Sequence, residues 1–111
     1  MKTKMLKLPA LTLLAMFVLG TPPSFAESVW ARNHPRRHEV NARLNNQNRR
    51  IHDERREGEI TKAQARRLHR EDRRIRGEER IMASQHNGHI TRQEQTTLNR
   101  QENFVSRQIG R

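Results

Sequence analysis

The chain has 111 residues, with 23 Lys and Arg against 12 Asp and Glu and not one cysteine. That composition excludes disulfides, thiolate chemistry and a lipid anchor on a lipobox cysteine. From Glu27 onward Leu, Ile, Val and Phe supply only 13 of 85 residues, too few to enclose the apolar pocket an enzyme of ordinary design requires.

The N-terminus reads as an export signal. Lys2, Lys4 and Lys7 form a charged start, an apolar run follows from Leu8 to Gly20, and Ser24-x-Ala26 is a small-x-small cleavage site. The run is shorter than the roughly 20 apolar residues a membrane span requires. We therefore expect a cleavable signal over 1–26, cut after Ala26, with a periplasmic or secreted product that has no transmembrane span. Residues 27–34 read as a flexible lead and 35–111 as a single helical-repeat domain. After the signal, 20 basic residues remain against 12 acids, and 19 of those 20 are arginine.

Three similar stretches organise the remainder: LNNQNRRI at 44–51, LHREDRRI at 68–75 and LNRQENFV at 98–105. Each sets two apolar residues seven positions apart, about two helical turns, and so on one helix face. Eight residues before the second and third copies stand Ile60 and Ile90, inside the phrases GEIT and GHIT. Gly58 and Gly88 suit the left-handed conformation that ends a helix, and Thr61 and Thr91 suit the N-cap of the next. Gln64 and Glu94, three residues on, complete capping boxes. A calcium loop is the competing reading of Gly88 and Glu94, but it would put Ala83 and Gln85 where carboxylates must bind, and in the first joint Arg55 would face the cation. Ile60 has Ala65 as a staple partner whereas Ile90 faces Gln95, so Ile60 is expected to contribute more locally.

The predicted fold is all-α: three antiparallel amphipathic helices, about Pro35–Arg56, Lys62–Gln85 and Arg92–Ile109, joined by short Gly-x-Ile-Thr turns. Their apolar stripes are thin, which invites closure by a second copy or by a partner. Paired acids such as Glu71/Asp72 and Glu78/Glu79 lie among arginines, which should keep them ionised rather than raise a pKa for acid catalysis. Ser28, Ser84 and Ser106 have no nucleophile setting, so neither a catalytic residue nor a cofactor is expected. His34 with His38, and His86 with His89, are the weak candidates for zinc or copper, and serve as ligands only if the two pairs converge across the bundle.

Positive charge is the remaining feature. Arg49, Arg50, Arg66, Arg67, Arg70, Arg73 and Arg74 are the candidate binding residues, because guanidinium groups hold carboxylate and phosphate bidentately. The implied partner is an anionic envelope component or an unfolded protein. Nucleic acid ranks lower, since export removes the chain from the chromosome and only Trp30 and Phe104 offer stacking.

Val40, Asn41, Arg43, Gln47, Arg50, Ile51, Gly58, Thr61, Gln64, Gly88, Thr91, Glu94, Leu98, Glu102, Ser106 and Ile109 resemble the pattern of a group of small exported bacterial helical-repeat proteins without assigned activity. The resemblance spans nearly all of the chain after the signal and implies export and a helical repeat. The ITKAQ stretch at 60–64 is also similar to the L-T-x-x-Q phrase of Spy/CpxP-like periplasmic stress chaperones, with Ile in place of Leu. That likeness implies a chaperone-like accessory role, with structural or metal-buffering duty as the alternative.

Overall fold

Every regular element among the described residues, 23–110, of the computed structural model is a helix: α1 (Pro23–Asn33), α2 (Pro35–Arg56), α3 (Lys62–Ser84) and α4 (Arg92–Ile109). The charged start and apolar run of the expected signal lie outside the described residues. The chain divides into two units between Asn33 and His34. In the first, α1 starts at Pro23, whose missing N–H would lack an intrahelical acceptor in any case. Ala26, Glu27, Ala31 and Arg32 are favourable helix formers. Residues 27–33, read from sequence as a flexible lead, are helical here, so the described residues hold one helix more than the repeat alone predicts.

In the second unit α2, α3 and α4 each pack on the other two. Buried positions recur at intervals of three and four: Val40, Leu44, Gln47 and Ile51 on α2, then Leu98, Glu102, Val105 and Ile109 on α4. α3 follows the same rule with Ala65, Leu68, Asp72, Ile75, Glu79 and Ala83. This period keeps each stripe on one face. Side chains then tie the helices together. Arg37 pairs with Glu79, Arg76 Nη2 donates to Asn45 Oδ1 at 2.9 Å, and His69 Nδ1 lies 3.0 Å from Asn48 Oδ1 between α2 and α3. Between α2 and α4, Gln95 donates to Glu39 at 3.0 Å and Arg50 donates to the Ser106 hydroxyl at 2.8 Å.

Both joints close by the same local chemistry. Thr61 Oγ1 accepts from the Gln64 amide at 3.0 Å while the Thr61 amide donates to Gln64 Oε1 at 2.7 Å. Thr91 and Glu94 repeat this at 3.0 and 2.9 Å. At the first joint Gly58 is left-handed (φ 81°), and the Glu59 amide reaches back to the Glu54 carbonyl at 2.9 Å. The second joint keeps its left-handed glycine and adds a second left-handed residue before it. Asn87 takes the left-handed turn (φ 55°) and the Gly88 amide closes on the Ala83 carbonyl at 2.8 Å, with Gly88 itself at φ 90°. Asn tolerates this region because its short polar side chain can bond locally, so the turn starts one residue before the glycine.

Candidate binding surface

The polar residues inside the stripes are the first element of the site, because they decide which charges remain outside. Asp72, Glu79 and Glu102 are buried together with Gln47. Glu79 receives Arg37, which also donates to the Gly88 carbonyl at 3.2 Å. Glu102 has Arg43 Nε at 3.6 Å from its carboxylate, while Gln47 donates to its backbone carbonyl at 2.6 Å. Asp72 and Glu102 follow Thr61 and Thr91 by the same interval, so they are equivalent positions of the repeat. None of their four carboxylate oxygens has a hydrogen-bond partner among the described residues.

Burial pushes Asp72 up to about 7, against the opposing pull of Arg76 and with a small further rise from Glu71. Burial likewise pushes Glu102 up to about 8, with Arg43 opposing and Glu39 and Asp72 adding to the rise. The expectation that neighbouring arginines keep the Glu71/Asp72 pair ionised therefore fails for Asp72. Removal from water outweighs a single flanking guanidinium, since a charged carboxylate loses its solvation while Arg76 turns its Nη2 toward Asn45 on α2.

The candidate arginines separate into four settings. Arg50 is a clamp, holding both the hydroxyl (2.8 Å) and the carbonyl (3.3 Å) of Ser106. Arg49 is exposed and donates to Asn46 at 2.8 Å. Arg66, Arg70 and Arg73 are exposed on α3, and Arg73 together with burial lowers the His69 pKa, burial being the larger cause. Arg67 and Arg74 border a groove of about 430 Å³ between α3 and α4. Arg74 is held by Glu71 and, at 3.9 Å, by Glu78, and the Glu71 bond raises its already high pKa.

Of the residues lining this groove only Arg67 and Arg74 are among the candidate binding residues; Arg100 and Phe104 line it from α4. Phe104 is 58% exposed. A signal for it exists: Arg50 and Arg74 occupy the equivalent place in the other two copies, so Phe104 puts a large apolar group where the repeat otherwise carries an arginine.

The histidines converge only in part. His34 precedes α2 and its ring stacks on His89 with centroids 4.8 Å apart and planes 15° from parallel. A metal ion lies in the plane of each imidazole that binds it, so two stacked rings would have to turn before sharing one. His86 Nδ1 sits 3.5 Å from Glu94 and 3.1 Å from the Met82 carbonyl, and His38 is exposed. Among the described residues no group of three or more His, Cys, Asp or Glu gathers as a metal site, and no helix is long and apolar enough to cross a membrane. Gly58, Thr61, Gln64, Gly88, Thr91 and Glu94 all lie in the joints, remote in role from the groove. Comparison with known proteins finds no family model, no curated protein and no solved structure that matches the chain.

Proposed function

We propose that this is an exported, non-enzymatic binding protein of the cell envelope that holds anionic or unfolded partners in a chaperone-like way. The observation that carries the reading is the partition of charge. Asp72, Glu79 and Glu102 are buried, while Arg49, Arg66, Arg67, Arg70, Arg73 and Arg74 are exposed. Folding therefore removes acids from the surface and leaves the guanidinium groups outside, strengthening the long-range attraction for anions. The resemblance to small exported helical-repeat proteins, and to the Spy/CpxP-like chaperones, supports the same reading. The repeat domain is a set of three helices with antiparallel neighbours and a thin core, suited to completion by a partner or by a second copy. Catalysis and cofactors have no part in it, and nucleic acid ranks below protein and envelope anions.

The test is light scattering of an acidic, chemically unfolded protein diluted into buffer with an equimolar amount of the chain. Aggregation should be delayed at low salt and much less delayed at high salt, because screening shortens the reach of surface charge. No delay at either salt overturns the reading. Export has its own check: N-terminal sequencing of the product should start at Glu27, and a start at Met1 in a membrane fraction overturns the address. If zinc or copper raises Tm and His34→Ala with His89→Ala abolishes the rise, metal holding replaces the binding role.

A further inference from the structure

We infer that the groove between α3 and α4 is the docking site, and that its occupant is an extended acidic peptide segment with an aromatic or branched apolar side chain between its carboxylates. The inference rests on the binding reading above and adds the place and the chemistry of the partner.

The groove combines an apolar floor with a basic rim. Ile75 lies beneath it and Phe104 stands beside it, 58% exposed, with the Arg107 guanidinium 5.9 Å from the ring centroid. Of the two large apolar side chains left exposed among the described residues, Ile81 (61%) and Phe104, Phe104 is the one that lines the groove, where an apolar side chain of a partner would cover it. Around it stand Arg67 and Arg74 from α3 and Arg100 from α4. Glu71 and Glu78 neutralise Arg74, but neither Arg67 nor Arg100 makes an ion pair among the described residues. Arg67 has only a long bond, 3.4 Å, to Gln108. The open cations thus lie on the two opposing helices, on either side of the apolar floor.

That juxtaposition of unpaired cations and an apolar ring selects the ligand. Two guanidinium groups flanking an apolar patch match two carboxylates flanking an apolar side chain, each held by charge-assisted hydrogen bonds. A bilayer is flat and cannot enter a concave groove, and its interfacial binding draws on a broad apolar face that is absent here. Simple polyanions match the rim but leave the exposed face of Phe104 without a partner.

The experiment is fluorescence anisotropy of a labelled peptide of Asp and Glu residues with one central Phe, measured on the full repeat domain after the signal and on vesicles of anionic phosphatidylglycerol in parallel. Arg100→Gln and Phe104→Ala change exposed side chains, and circular dichroism will verify that both fold. Each should weaken peptide binding about fivefold or more, the loss of one charge-assisted bond or one apolar contact. Arg92→Gln, which removes the same charge at the exposed start of α4, should change it less than about twofold. Equal weakening by Arg92→Gln and Arg100→Gln with none by Phe104→Ala overturns the groove while leaving diffuse anion binding, and so the broader reading, intact. Groove-dependent binding of vesicles with none of peptide also overturns it, in favour of a lipid surface. If peptide, vesicles and unfolded acidic protein all fail to bind, the broader reading falls with it.

Discussion

The two copies of the repeat that follow the glycine joints, residues 58–84 and 88–110, share their local chemistry and differ in how the rest of the domain holds them. Their capping boxes superpose in kind, with hydrogen bonds of 2.7–3.0 Å at Thr61 and 2.9–3.0 Å at Thr91. Their tertiary settings are unequal. At the second joint Arg36 donates to the Ile90 carbonyl and Arg37 to the Gly88 carbonyl, both at 3.2 Å, whereas among the described residues no α2 side chain donates to a carbonyl of the first joint. Ile90 is 2% exposed and Ile60 is 9%. Staple logic alone ranks Ile60 above Ile90; the bundle reverses the order of burial, because α2 arginines and not Gln95 complete the second joint. Similar sequence signals therefore specify similar turns without specifying equal stability.

The largest effect should come from removing Arg37, which ties α2 both to Glu79 of the first copy and to the Gly88 carbonyl at the second joint. Arg37→Ala leaves Glu79 buried without its cation and frees the Gly88 carbonyl, and should cost about 3–5 kcal/mol in urea denaturation. A loss below about 1 kcal/mol, the range of an ordinary surface pair, would show that the buried pair of Arg37 with Glu79 does not anchor α2 on α3. Next, Ile90→Ala should destabilise by about 3–4 kcal/mol and Ile60→Ala by about 2 kcal/mol, within the range for buried isoleucine truncation. Equal losses would break the comparison, and the reverse order would restore the staple ranking.

The equivalent acids sharpen the comparison through pH. Asp72 and Glu102 titrate from 3.8 and 4.5 in the unfolded chain to about 7 and about 8 in the folded one. Folded pKa values above the unfolded ones mean stability that is complete below about pH 4 and is lost as pH rises through 7 and 8. Tm should therefore be lower at pH 8.5 than at pH 5.5. The two carboxyls together account for on the order of a few kcal/mol. Asp72→Asn should remove the part of the decline that ends near pH 7 and Glu102→Gln the part that continues to about pH 8, so the fall between pH 7 and 8 belongs to Glu102. A Tm that climbs with pH over this interval would mean that both acids are ionised and satisfied by Arg43 and Arg76.

The smallest difference is expected at the caps. Thr61→Ala and Thr91→Ala should each cost about 0.5–2 kcal/mol and by similar amounts, as the cap bonds are alike. Replacing Gln64 or Glu94 by Ala removes only the return bond and should cost less. A large inequality between the two threonines, read by thermal melting, would place the difference between the copies in the turns themselves.

Much of the helix layout is legible in the chain because its signals are short-range. Thr61 and Thr91 with their partners three residues on, and Gly58 with its positive φ, each act within one turn, so sequence spacing is geometry. The candidate site was less legible. Arg50, a candidate cation in the sequence, is a clamp on Ser106; Arg67 and Arg74 line a groove with Arg100 and Phe104, which stand on another helix. The departure of Phe104 from the arginine of the other copies was visible without any indication of what it would neighbour.

What the sequence determines by itself, then, is where helices start and stop and which residues share a face, because hydrogen bonds between residues three to five apart need only local conformation. The fate of the polar residues on those faces is decided by the tertiary structure. Asp72, with Arg76 one turn away, reads as half of a solvated pair, yet it is buried and its pKa rises because α2 and α4 cover it. Arg37 and Arg43 look like any other arginine and find Glu79 and Glu102 at separations of 42 and 59 residues. Whether a charge is solvated, paired or forced toward neutrality depends on how much water the neighbouring helices displace, and that is set only when all three are in place.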